Sequence, residues 1–193
     1  MKKLIALSII SFMLSCQTTV QEQNTNKQTM EENWKSEVEK TLKLFGHRNW
    51  IVIADAAYPE QSNPAIKTIT IDESQLEAVE IISDLIEKAK HVDANIFIDK
   101  EMAFVPEKDA KGIASYRTNL NKVLEGKPVK TKLHEDIIRE LDASAKLFNV
   151  LIIKTDLAIP YTSVFFQLEC GYWNADAEKN MRQELENTTI NIP

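Results

Sequence analysis

Two short runs, WIVIAD at 50–55 and NVLIIKT at 149–155, restrict this chain more than any other feature. Each is continuously apolar at its centre and of strand length, so neither offers a face for water. A half-exposed strand alternates apolar with polar residues, whereas unbroken runs belong inside a sheet covered on both sides. Between them the pattern is helical. Trp34, Val38, Leu42 and Phe45 recur at three- and four-residue spacing before Gly46, and Leu76, Val79, Ile82, Leu85 and Ala89 form a stripe within 73–90. A more polar helix is predicted over 107–125 around Tyr116 and Leu120, with Pro128 beyond it, and another over 134–147. IKTITID (66–72), ANIFID (94–99) and SVFFQLE (163–169) read as further strands, and the tail after Trp173 as a helix trailing into disorder. Strands alternating with helices of this length predict a three-layer α/β/α domain with a central, largely parallel sheet.

The chain opens MKKLIALSIISFMLSC: two lysines, roughly a dozen mostly apolar residues, then a small residue and a cysteine. A membrane-spanning helix wants about 20 apolar residues. The shorter run reads as the core of a signal peptide over 1–15. Its Met-Leu-Ser-Cys ending resembles the lipobox of bacterial lipoproteins. That resemblance implies Cys16 as a diacylated first mature residue, and an exported, membrane-anchored protein of a bacterial cell envelope. Residues 16–33 carry almost no apolar side chains past the cysteine and predict a disordered tether. The folded domain is then 34–173, and 174–193 is the C-terminal tail. With Cys16 lipidated, Cys170 has no partner for an intrachain disulfide and is expected to be a buried small hydrophobe.

Removing 1–15 takes away two lysines and no acid, so the formal net charge falls from −6 to −8. No basic stripe is present, which argues against nucleic acid as a partner. The chain has four glycines and no glycine-rich phosphate loop, which argues against a nucleotide-binding Rossmann domain. His47, His91 and His134 are scattered, with no HxH, HExxH or CxxC spacing, so no metal site is expected.

Ligands of open α/β sheets bind beyond the carboxyl ends of the strands. Asp55 closes the first apolar run. Thr155 and Asp156 close the other, with Tyr161, Thr162 and Ser163 a few residues on and Tyr58 and Phe165 as nearby aromatics. A carboxylate, a phenol and hydroxyls suit a polyhydroxylated ligand such as a sugar. Taken singly, each has a plainer reading: Asp55 as a turn cap, Tyr161 as a packed core residue, His47 as a surface residue after a helix stop.

Together these residues resemble a known pattern. In GHRNWIVIADAAYP, Gly46 and His47 are followed, with seven residues between, by Asp55-Ala56 and shortly by Pro59. This is similar to the signature of the D-ribose pyranase / L-fucose mutarotase family. The family also has a buried strand, a short polar loop and Tyr-x-Asn opening a final strand, matched here by NVLIIKTDLAIPYTSVFF with Tyr161-Thr162-Ser163. SYRTNL (115–120) resembles a helix of the fucose branch, and His134 opens a helix where the ribose branch has a sugar-contacting histidine. The resemblance covers roughly 35–170. Asn49 stands where the family often has aspartate, and Ser163 where it has asparagine.

The resemblance implies interconversion of ring or anomeric forms of a free monosaccharide, with no cofactor and no metal. Ring opening needs one proton delivered to the ring oxygen and one removed from the anomeric hydroxyl, work suited to histidine. By resemblance His47 is the catalytic proton donor, and Asp55, His134, Tyr161, Thr162 and Ser163 bind the sugar. If 48–55 is mostly extended, eight steps of about 3.3 Å put His47 up to roughly 26 Å from Asp55. One subunit then cannot bring both to one sugar, and a homo-oligomer with sites between subunits is expected. Two alternatives stand beside this reading: a membrane-tethered sugar-binding protein without catalysis, and an oligomeric interaction module with a vestigial pocket.

Overall fold

The computed structural model describes residues 34–188, and the expected signal peptide, Cys16 and tether lie outside the described residues. Helix α1 runs through 34–44 and leads into strand β1 (Trp50–Ala54). There follow β2 (Ile66–Thr70), α2 (Gln75–Lys88), β3 (Val92–Asp99), a 3-10 turn (Lys100–Phe104), α3 (Ile113–Val123), β4 (Val129–Lys132) and α4 (His134–Ser144). β5 (Val150–Lys154), β6 (Val164–Cys170) and α5 (Ala175–Asn187) complete the chain.

The six strands form one sheet in the order β2-β5-β1-β6-β3-β4. β1 and β2 pair parallel with β5, and β3 pairs parallel with β4. β6 lies between β1 and β3 and is antiparallel to both. Five strands therefore run one way and one runs back through the middle. The two apolar runs explain the centre: every residue of β1, and all of β5 but Lys154, is buried. One face packs under α1, α2 and α3 through Val38, Leu42, Val79, Ile82, Ile113 and Leu120. The other packs under α4 through Ile137 and Leu141, which meet Trp50, Val52, Phe97 and Phe165. Helices on both faces make the three layers that the unbroken strands require.

Sequence and structure differ in three places. β4, with the sequence VKTK, was not expected, because it carries no apolar alternation and pairs at the sheet edge. The helix expected from 107 begins at Ile113. The Glu107 carboxylate instead accepts from the backbone N–H of Gly112 and Ala114, at 2.6 and 3.0 Å, and Gly112 turns the chain at φ 94°. Cys170 is half-buried rather than buried. α5 is a helix with no buried residue, and among the described residues no helix is long and apolar enough to cross a membrane.

Candidate active site

The reversed strand builds the site. Because β6 runs back between β1 and β3, its entry lies where those two strands end. Val164 pairs with Ile53 on one side and Ile98 on the other. The preceding residue, Ser163, therefore sits between the strand-end carboxylates Asp55 and Asp99. β3 pairs with β4 up to Asp99 opposite Lys132, which brings the start of α4, and His134, beside Asp99. This cluster lies at the carboxyl ends of the strands, the end at which α/β sheets bind ligands.

Asp55 divides its two oxygens between a turn and the site. Oδ1 accepts from the N–H of Ala57 at 2.9 Å, and Oδ2 faces the Ser163 hydroxyl at 3.4 Å. The cap reading and the site reading thus both describe the same carboxylate. Ser163 is buried, and Thr162 is wholly so. The Thr162 hydroxyl donates to the Ile159 carbonyl at 2.8 Å, so its side chain holds the loop instead of lining the opening. Tyr161 is 40 % exposed at the rim and adopts φ 59°, a left-handed conformation uncommon for a bulky residue. Its ring meets that of His134 edge-on, with centroids 5.8 Å apart.

His134 is held from two sides. Its ring Nδ1 lies 3.0 Å from Asp99 Oδ2, and its backbone N–H donates to both Glu101 oxygens at 3.1 Å. Leu133, at the N-cap position of α4, has no side chain able to cap, and Glu101 satisfies the open helix end in its place. The Asp99 side chain is fully buried, and its Oδ1 has no hydrogen-bond partner among the described residues. Burial raises the Asp99 carboxyl above its ordinary value, against the lowering effect of its bond to His134. The bond to Asp99 raises His134 above 6.5, opposed by burial and assisted by Glu101 and Glu135. Nearby, burial foremost, with Asp142, Asp99 and Asp55 around it, pushes the Tyr58 hydroxyl up to about 12.

Asp99 and Glu101 were not singled out from the sequence. The signal was present: ANIFID ends in a carboxylate as WIVIAD does, so the same strand-end argument applies to both. Thr155 and Asp156, which were singled out, do not join the cluster. The Thr155 hydroxyl bonds Ala54 O and Gln75 Oε1 at 3.1 and 3.0 Å, and Asp156 faces solvent. Among the described residues no group of three His, Cys, Asp or Glu side chains is placed to hold a metal ion.

His47 is elsewhere. It precedes β1, at the end of that strand opposite Asp55, on an exposed turn closed by the Asn49 N–H to the Gly46 carbonyl at 3.3 Å. Arg48 takes φ 74° in this turn. The Asn49 amide is bonded on both sides: Nδ2 donates to Gly46 O at 3.1 Å, and Oδ1 accepts from the Asn149 N–H at 2.8 Å. Flanking the turn, Leu44 and Leu147 are 86 % and 83 % exposed. The other end of the strands carries its own exposed apolar groups, Phe104 and Leu133, beside Tyr161 and His134.

A family model described as the RbsD / FucU transport protein family matches residues 28–171. No curated protein matches the chain. Among solved structures, the chain is similar to Bacillus subtilis RbsD complexed with D-ribose, at 19 % identity and a TM-score of 0.47, covering 69 % of this chain and 92 % of that one. It is also similar to the fucose mutarotase in complex with L-fucose from Streptococcus pneumoniae, at 23 % identity and a TM-score of 0.45, covering 69 % and 91 %. FucU from Bifidobacterium longum is 14 % identical with a TM-score of 0.48, covering 69 % and 94 %.

Proposed function

The chain belongs to the RbsD / FucU transport protein family, and on that premise we propose that it is a monosaccharide mutarotase or pyranase. It opens and recloses the ring of a free sugar such as ribose or fucose by acid-base catalysis. The observation that carries this reading is the convergence of Asp55, His134 and the Tyr161–Ser163 loop at one end of the sheet, from three different segments of the chain. A carboxylate and a hydroxyl fix sugar hydroxyls, an aromatic edge covers an apolar sugar face, and a histidine exchanges a proton near neutrality.

The second proton-transfer group in this reading is His47 of a neighbouring copy. Within one chain His47 and Asp55 sit at opposite ends of β1, and each end has exposed apolar side chains of the kind that mark contact surfaces, Leu44 and Leu147 at one and Phe104 and Leu133 at the other. Joining one end to the other is a head-to-tail contact, which closes into a ring if the rotation permits. Export and lipid attachment at Cys16 complete the proposal, and place the activity on sugars outside the cytoplasm.

Binding without turnover is the second reading, favoured by Asn49. Its amide bonds Gly46 and Asn149 and sets no charge beside His47. Saturation-transfer NMR with ribose, fucose, galactose and rhamnose separates the two. Accelerated exchange between ring forms of one sugar, abolished in His47→Ala, supports the mutarotase; sugar signals broadened with no acceleration support the binder.

A further inference from the structure

Of the two histidines in this scheme, only one has a carboxylate on its ring. His47 stands on a solvent-facing turn, and the residue two places on, Asn49, is neutral and committed to Gly46 and Asn149. His134 is bonded through Nδ1 to Asp99, which is fully buried at the end of β3 and ends a strand paired on both sides. A carboxylate only accepts, so Nδ1 carries the proton and Nε2 is the nitrogen left for a ligand. Glu101 fixes the backbone of the same residue. Ring direction and tautomer are therefore set by the buried Asp99, and main-chain position by the half-buried Glu101.

We propose that Asp99 is a positioning residue that makes His134, and not only His47, a proton-transferring residue of the ring-opening reaction. This rests on the mutarotase reading and assigns the second proton. His134 Nε2 removes the proton from the anomeric hydroxyl, the anomeric carbon becomes a carbonyl, and the bond to the ring oxygen breaks. The electron pair goes to that oxygen, which takes its proton from His47 of the neighbouring copy. Reclosure on either face returns both protons, so no co-reactant is consumed. Asp99 stabilises the imidazolium that forms on His134, as a buried carboxylate does behind a histidine base. The charged and titratable groups around that ring are Asp99, Glu101, Glu135 on its own helix and Tyr161, while Lys132 is engaged by Glu140.

The test uses the full chain and three forms: wild type, Asp99→Asn and His134→Gln. Asparagine keeps an oxygen for Nδ1 and removes the charge, so the fold is retained and thermal unfolding checks it. Asp99→Asn is expected to lower the exchange rate constant at least about 10-fold with KM within about twofold. The acid limb of its pH profile, and the His134 titration followed by NMR, are both expected to move to lower pH. His134→Gln is expected to lose the same step with no such limb. An Asp99→Asn protein with the wild-type rate, or a slower one with an unshifted profile, overturns the inference and leaves the mutarotase standing. A wild type that accelerates no sugar refutes the mutarotase and this assignment with it.

Discussion

Gln75, the first residue of α2, donates through Nε2 to the main-chain carbonyl of Thr162, and so fastens the site loop to the helical layer. The same carbonyl accepts from the Tyr116 hydroxyl at 2.8 Å, and Gln75 Oε1 accepts from Thr155 at 3.0 Å. All four residues are buried. The loop they hold is the one in which Tyr161 takes a left-handed conformation, a cost of order 1 kcal/mol or more that the surrounding bonds must offset.

Gln75→Leu keeps the volume and removes three buried hydrogen bonds, to the Thr162 carbonyl and to the Tyr116 and Thr155 hydroxyls. Each is worth about 0.5–1.5 kcal/mol net, so a loss of about 2 kcal/mol or more is expected by urea denaturation. Sugar affinity should fall as Tyr161 and Ser163 loosen. A variant as stable as the wild type would show that the loop is held by other means.

Trp34 and Glu73 make a similar pair at the start of the domain. The indole N–H donates to Glu73 Oε1 at 2.6 Å, and the carboxylate is 5 % exposed with its other oxygen unpartnered among the described residues. Trp34→Phe leaves Glu73 Oε1 only the Lys35 ammonium, 3.6 Å away, and should destabilise by about 1–2 kcal/mol through the lost buried hydrogen bond more than through lost area. An unchanged midpoint of unfolding would contradict this.

Gly171 closes β6 against the backbone of Val92. A Cβ there would stand 2.7 Å from the Val92 carbonyl oxygen and 2.9 Å from its nitrogen, and main chain cannot swing aside as a side chain can. Gly171→Ala should therefore cost about 1–3 kcal/mol from overpacking. A thermal midpoint equal to the wild type would show that the β3 entry gives way freely.

The His134–Asp99 contact makes stability depend on pH with a definite sign. The folded-state pKa of His134 is raised above its unfolded value of about 6.5. Its contribution is fully present below about pH 6.5 and is lost as pH rises through the folded-state value. The stability gap between wild type and His134→Gln should accordingly be wider near about pH 5.5 than near about pH 9. A gap that is constant, or that grows with pH, would mean the ring gains nothing from Asp99.

The central strands were legible because WIVIA and VLII cannot be wetted on either face, a property that needs no knowledge of neighbours. β4 was not, since VKTK gains its place only by pairing with β3 at an edge. The same distinction runs through the site. Asp55 and Tyr161 to Ser163 were legible as polar residues at the ends of buried runs. Asp99 ended such a run too, but its meaning comes from His134, 35 residues on, and only the sheet order brings the two together. Thr162 shows the reverse: a polar residue in the right loop whose hydroxyl turns back to Ile159. Glu101 capping α4 in place of Leu133 has no local sequence signal at all.

The most direct test of a sugar site shared between copies is complementation. Asp55→Asn and His47→Ala are each expected to be inactive alone, one lacking the pocket carboxylate and the other the histidine it lends. Co-expressed in equal amounts and purified as mixed assemblies, they should recover about a quarter of wild-type ring-form exchange, the share of head-to-tail contacts that random mixing leaves intact on both sides. No recovery from mixed assemblies of proven composition would put His47 and Asp55 in the same subunit's site, or His47 in none, and would contradict the account.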